Sequence, residues 1–402
     1  MPGEWAEKPL GELVTLEYGA GLPQAVRTGE GYPVYGSNGL LGRHSEYLIQ
    51  GPGIVVGRKG TVGAVAWSDE SFWPIDTTYY VQPRGDTDLR WIYWRLSALP
   101  LSRLDSSTGV PGLNRHDAYA LKVLVPPLAE QHRIAEMLDA ADEAIRQMER
   151  VIAKLKAVKA GLLHDLLTRG LDEHDHLRDP QAHPEQFKDS PLGRIPRRWE
   201  LTILGSVIVR SGGLVQTGPF GSQLHAEEYT TEGIPVIMPQ DIQDSRVVED
   251  QIAHIPSRKA TVLARHRVIP NDVVFARRGD LSRCAFIGQR ETGWLCGTGC
   301  LLVRPPEKVI DGYWLSATYQ HSRSQRQIAA RAVGSTMVNL NTSLLASLMI
   351  AKPPYDEQVA IIKTLNAYDS CMHAEEAELA KLRQVKHGLM DDLLTGRVRV
   401  SP

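Results

Sequence analysis

The 402-residue sequence predicts a mixed α/β fold: two β-rich globular domains separated by two long antiparallel coiled-coil helices, in a pseudo-two-fold internal duplication. Three observations predict it. Pro126-Pro127-x-x-Glu130-Gln131 returns 227 residues later as Pro353-Pro354-x-x-Glu357-Gln358, and the copies run without a gap to Leu166-Leu167-Thr168 and Leu393-Leu394-Thr395, matching at 20 of 43 positions. One long segment occurring twice marks an internal duplication and not a solenoid. Both copies carry an apolar spacing of 3.5 residues. The segment before each copy is rich in short apolar runs separated by turn residues.

Residues 1–125 form the first β-rich segment. Ile54-Val55-Val56 and Tyr79-Tyr80-Val81 are strand candidates between the turns Gly36-Ser-Asn-Gly39, Gly51-Pro-Gly53 and Pro83-Arg-Gly85. A helical pattern follows around Trp91–Leu104. Residues 126–170 are the first long helix. Its seam is Ile134, Leu138, Ala141, Ile145, Met148, Ile152, Leu155, Leu162 and Leu166, interrupted at Lys159. A prolyl pair precedes it, where the missing N–H costs least, and Arg169-Gly170 stops it.

Residues 171–198 read as a polar, proline-spaced linker. Residues 199–352 repeat the β-rich character, with Val236-Ile237-Met238, Val273-Val274-Phe275 and Leu301-Leu302-Val303 as strands and a helical pattern over 313–333. Trp5-x-x-x-x-Leu10-Gly11 and Trp199-x-x-x-x-Leu204-Gly205 open the two segments alike, and Leu113-Asn114 and Leu340-Asn341 close them alike. Between those marks the sequences differ, and the second is 33 residues longer. Residues 353–402 hold the second helix and a tail, with seam residues Ile361, Leu365, Tyr368, Met372, Leu379, Leu382, Leu389 and Leu393 and polar interruptions at Glu375 and Lys386. Each charged slot is expected to meet an opposite charge, a coil end or a partner, because an unpaired buried charge is costly. The cyclic order domain, helix, linker, domain, helix further predicts that the chain's two ends lie close together.

Composition narrows the function. Hydrophobic content of 42% and charged content of 23% suit a soluble globular protein, no apolar run is long enough to span a bilayer, and the first residues lack a secretory pattern. Four cysteines are too few and too clustered for a disulfide framework, which suits a reducing cytoplasm. Cys296-x-x-x-Cys300 lacks the further ligands a zinc site needs. The net charge of −2 works against nucleic-acid binding, so any basic surface must be local. Residues 199–352 carry 16 Lys+Arg against 13 Asp+Glu, and residues 1–125 carry 11 against 13.

The sequence shows no catalytic motif. Lys352-Pro353-Pro354-Tyr355 has lysine where an amino-group methyltransferase loop needs an Asn or Asp acceptor. Gly57-Arg58-Lys59-Gly60-Thr61 fails the spacing of a phosphate loop. It still places Arg58 and Lys59 on a turn after an apolar strand, and Arg277 and Arg278 follow Val273-Val-Phe-Ala in the same layout. Such cations face phosphates or base edges, or sit on a solvated hairpin. Ser37, Asn38, Arg43 and His44 in one Gly-rich loop, and Ser222 and Gln223 in another, are further candidate base readers or plain turn formers.

Taken together, these residues resemble the specificity subunit of type I restriction–modification systems. The paired Pro-Pro-x-x-Glu-Gln helices, Ser190-Pro-Leu-Gly-Arg-Ile-Pro-x-x-Trp199 and the block from Gly36-Ser-Asn-Gly39 to Gly60 carry the resemblance. It implies two target-recognition domains, 1–125 and 199–352, each reading half of an asymmetric, bipartite sequence of double-stranded DNA. It also implies a coiled coil docking two methyltransferase subunits, with restriction subunits joining. S-adenosylmethionine, ATP and Mg then belong to partner subunits, this chain holds no cofactor or metal and catalyses nothing, and it acts in the cytoplasm without membrane contact. Helices of roughly 40 residues make a rod of about 60 Å, which would set the gap between half-sites. Two other classes stay open: a coiled-coil scaffold without DNA contact, and a methyltransferase or nuclease with an unrecognised site.

Overall fold

The computed structural model describes residues 5–104, 112–243, 245–332 and 339–400. Two long helices dominate it, Leu128–Thr168 and Tyr355–Leu394. The chain divides into two compact units, Met1–Ile152 with Ala374–Pro402, and Ala153–His373, so each long helix contributes to both.

Among the described residues the first unit holds nine strands: β1 (Ala6–Pro9), β2 (Val14–Tyr18), β3 (Tyr32–Gly36), β4 (Gly39–His44), β5 (Gly53–Gly57), β6 (Val65–Ser68), β7 (Trp73–Pro74), β8 (Thr78–Pro83) and β9 (Lys122–Val125). They form a four-stranded sheet in the order β2-β8-β5-β6, a three-stranded sheet β4-β3-β7 and the pair β1-β9. The helix Leu89–Ala98 buries Trp91, Ile92, Trp94 and Leu96 against β-sheet residues Leu16, Ile54, Val56, Tyr79 and Val81. Ile134 and Leu138 of the first long helix and Leu393 of the second enter the same core.

In the second unit the strands are β10 (Phe187–Lys188), β11 (Ile195–Pro196), β12 (Glu200–Ile203), β13 (Leu214–Thr217), β14 (Ile234–Ile237), β15 (Ile242–Gln243), β16 (Arg246–Val247), β17 (Ala253–Ile255), β18 (Val273–Ala276), β19 (Cys284–Phe286), β20 (Leu295–Cys296), β21 (Cys300–Arg304) and β22 (Met349–Lys352). Its main sheets run β13-β21-β18-β19, β17-β14-β20 and β12-β22, with hairpins β10-β11 and β15-β16 added. This is the topology of the first unit again. Even the parallel pairing recurs, β3 with β7 and β14 with β20. The duplication therefore extends through segments whose sequences differ, because alternation and strand order can persist when side chains do not. The helical pattern over 313–333 is two helices, Gly312–Gln320 and Ser322–Ala332, broken at His321, and its last position, Val333, lies outside the described residues.

The repeated Pro-Pro-x-x-Glu-Gln motif has a structural task in each copy. Gln131 donates to the carbonyl of Pro126 at 2.9 Å and accepts from the Asp88 N–H at 2.9 Å, fixing the residue that caps helix Leu89–Ala98. Gln358 does the same with Pro353 and Asp311, which caps helix Gly312–Gln320. Glu130 accepts from the Trp5 indole, the Arg399 guanidinium and the Val400 N–H. Arg399 holds the Glu130 carboxyl below its ordinary range, and burial opposes it. Glu357 accepts from the Trp199 indole at 2.9 Å, the Leu171 N–H at 3.1 Å and both arms of Arg178. Trp5 and Val400 meet on one carboxylate, so the N-terminal and C-terminal segments do lie together. Arg178 is buried beside Glu357, so the 171–198 segment is anchored to the second long helix at that residue.

Within each unit the two long helices run antiparallel. Asp142 and Glu149 of the first helix meet Lys386 and Arg383 of the second. In the other unit Lys159 meets Asp369, which also accepts from the Tyr313 hydroxyl at 2.7 Å. Ile134, Leu138, Ile145, Ile152, Ile361, Leu365 and Leu393 of the seam are buried. Met148, Leu155, Leu162, Met372, Leu379, Leu382 and Leu389 are half-buried.

Candidate nucleic-acid interface

Strand β5 delivers its last residue, Gly57, to a crowded spot. A side chain there would lie 2.1 Å from the Thr61 carbonyl and 2.9 Å from that of Ser37. Only glycine lets the Ser37-Asn38 turn of the β3-β4 hairpin close onto the Arg58-Lys59 turn. The structure thus brings four of the sequence candidates of this unit together. Asn38 and Lys59 are exposed, and Gly60 takes a positive φ of 82°, as a tight turn requires. Arg58 is tied down: its N–H donates to Thr77, its carbonyl accepts from Leu113, and its guanidinium donates to the carbonyl of Asp76. The guanidinium also lies over the rings of Tyr18 and Tyr79, 5.2 and 6.0 Å from their centroids. Burial first, and Tyr18 second, push the Tyr79 phenol up to about 12.

Arg43 and His44 go elsewhere. Arg43 pairs with Glu70 at 3.0 Å and donates to the Gly31 carbonyl. His44 is 9% exposed and packs edge-on against Trp73. Alternation along β4 explains the difference: successive side chains point to opposite faces, and His44 takes the inner one.

In the second unit Arg277 follows β18 as Arg58 follows β5. Its N–H donates to Gly299, its carbonyl accepts from Leu340, and its Nε donates to the Leu340 carbonyl at 3.1 Å. Arg278 is exposed, and Asp280 beyond it is held ionised chiefly by the Ser282 hydroxyl and N–H. The loop of Ser222 and Gln223 starts beside this turn, since the Gly218 N–H donates to Cys300, next to Gly299. Ser222 is exposed, whereas Gln223 accepts from the Phe220 N–H and shapes its own loop.

Two residues of the first cluster were not singled out from sequence, Tyr18 and Arg115. Arg115 begins the helix Arg115–Ala120 and lies over Tyr18, 5.2 Å from its centroid. Its only sequence signal is its place directly after the matched Leu113-Asn114. Its nearness to Tyr18 depends on strand pairing that spacing does not reveal.

Among the described residues no cluster of His, Cys, Asp and Glu is placed to hold a metal ion, and no helix is long and apolar enough to cross a membrane. Cys284, Cys296 and Cys300 are free and buried, and burial pushes their thiols well up, which makes them inert.

Comparison with known proteins places these features in a family. The profile of the type I restriction modification DNA specificity domain matches residues 2–157 and 219–384. The chain belongs to that family. It is 23% identical over 306 residues, 73% of its length, to the type I restriction enzyme MjaVIII specificity subunit of Methanocaldococcus jannaschii. It is 27% identical over 289 residues, 72% of its length, to the putative MjaX specificity subunit of the same organism. The matches span 66% and 62% of those relatives, a little under two thirds. The fold matches the S subunit of a type I restriction–modification system from M. genitalium, with a TM-score of 0.63, 18% identity, and 97% and 96% of the two chains covered.

Proposed function

We propose that this chain is a sequence-specific DNA-binding subunit that reads an asymmetric, bipartite target, one half with each unit. The observation that carries this reading is the equivalence of Arg58 and Arg277. Each is the first residue after the same strand, with its N–H and carbonyl in the same bonds, inside surroundings that differ in sequence. Equal frames suit two half-sites, and unequal contents suit two different ones.

The long helices dock two methyltransferase subunits, and restriction subunits join the assembly. Catalysis, S-adenosylmethionine, ATP and Mg belong to those partners, and the assembly works in the cytoplasm. Helices of 41 and 40 residues span about 60 Å each at 1.5 Å per residue and set the gap between half-sites. Phosphate contacts position the protein and base contacts specify. Asn38, Lys59, Ser222 and Arg278, exposed beside the two strand turns, are the residues assigned to DNA.

A salt-dependent titration of the purified chain with duplex DNA tests the binding claim. Binding that weakens with salt, and no methyl transfer by the chain alone, is the expected result. Absence of any duplex binding, with partner proteins still captured, would leave a scaffold.

A further inference from the structure

We infer that Tyr18, Arg58 and Arg115 form a phosphate clamp that the first unit has and the second lacks. The inference rests on the DNA reading above and adds residues and chemistry to it.

Tyr18 ends β2 and is 52% exposed, although it lies beside the buried Tyr79. Both guanidinium carbons stand 5.2 Å from its ring centroid. Two like charges have been brought onto one exposed aromatic ring, where the ring's negative face offsets part of their repulsion. Neither guanidinium has an ion-pair partner among the described residues. Arg58 turns Nε and Nη2 to the backbone carbonyl of Asp76, and Arg115 reaches the carbonyl of Leu16 at 3.5 Å. Arg43, Arg90 and Lys386 of this unit each meet a carboxylate, and Arg27, Arg84 and Arg95 end singly on backbone carbonyls, whereas Arg58 and Arg115 share one exposed ring. Two cations held still without a counter-charge, at an exposed ring, form a ready anion site. The exposed Asn38 and Lys59 belong to the turns next to Arg58, so the anion that fits is a backbone phosphate of the duplex.

The second unit keeps the scaffold and drops the clamp. Strand register puts Thr217 where Tyr18 stands, since each pairs with the residue opposite the third strand, Leu301 and Tyr79 respectively. The duplication offset of 227 puts Thr342 where Arg115 stands, after the capping residues Asn341 and Asn114. Arg277 remains, with its Nε on a backbone carbonyl. The first unit therefore supplies more of the sequence-independent hold on DNA.

A phosphate contact needs no particular base sequence, so a short fluorescent duplex of arbitrary sequence serves as the probe for the full-length chain. Arg115→Ala should lower the slope of log K against log salt by about 0.9, the share of one phosphate on duplex DNA. Tyr18→Ala should lower it as well, whereas Tyr18→Phe, which keeps the ring, should not. If Arg115→Ala melts early, Arg115→Gln takes its place with the same expected loss. Wild-type binding with unchanged slopes in the Arg115 variants would overturn the clamp and leave the DNA reading standing. No wild-type binding would overturn both. An unchanged slope with an altered set of methylated sites in cells would make Arg115 a base reader and also overturn the clamp.

Discussion

Asp142 and Lys386 form an ion pair between the long helices in the first unit, and Asp369 and Lys159 form its counterpart in the second, each residue 227 positions from its equivalent. Lys386 also lies 4.8 Å from the Trp94 ring centroid. The two lysine interruptions of the apolar seam, Lys159 and Lys386, are thus matched locks that fix helix register. Lys386→Glu puts two carboxylates together, which costs roughly 1–4 kcal/mol at short range. Melting should fall in that variant and recover when Asp142→Lys is added. No recovery in the double variant would mean that the pair does not set the register.

The two Glu hubs predict unequal costs. Arg178 and Glu357 are both buried, with side chains 4% and 7% exposed. Glu357→Gln leaves a buried guanidinium without its partner and should destabilise the second unit by about 3–5 kcal/mol. At the other hub Arg399 is 35% exposed and can turn to water, so Glu130→Gln should cost less. Chemical denaturation of the two variants ranks them, and equal losses would contradict this account.

His321, where helix Gly312–Gln320 ends, faces His164 across 3.1 Å, with Arg323 and Arg326 near it. Burial first, then the charges of His164, Arg323 and Arg326, push its imidazole from 6.5 down to about 4. The unfolded chain therefore binds the proton that the folded chain refuses between those values. Stability from this group is present above about pH 6.5 and is lost as pH falls toward 4. Melting temperature should drop across that window, and His321→Asn should flatten the drop.

Loss of the cation turns should weaken DNA binding without disturbing partner assembly. Replacing Arg58, Lys59, Arg277 and Arg278 with Ala leaves the helix seam intact. Gel filtration with methyltransferase subunits should be unchanged, while duplex affinity and salt slope fall. Unchanged affinity and slope would remove these residues from the interface.

Much of this fold was legible because duplication is visible without knowing what is duplicated. The apolar period gave Ile134 through Leu393 their seam, and Lys159 and Lys386 announced themselves as exceptions to it. Their partners Asp142 and Asp369 were hidden, since they lie beside the seam and only antiparallel packing brings them in. The matched Trp5 and Trp199 were visible, but their bonds to Glu130 and Glu357 link residues 125 and 158 apart. The candidate interface was legible in part. Gly57-Arg58-Lys59-Gly60 reads as a turn, whereas the approach of Ser37, Tyr18 and Arg115 depends on strand order. His44 shows the limit: its type suits base reading, but its place on the strand turns it inward.

Helices that set the gap and units that each read one half-site together dictate the form of the DNA target. Exchanging residues 199–352 for the equivalent segment of a relative should change one half-site and keep the gap. Most directly, a genome-wide map of methylated adenines in cells carrying this chain with its methyltransferase should show an asymmetric motif in two parts. Those parts should lie about 34–36 Å apart, one helical turn centre to centre. A single contiguous palindrome would contradict the account.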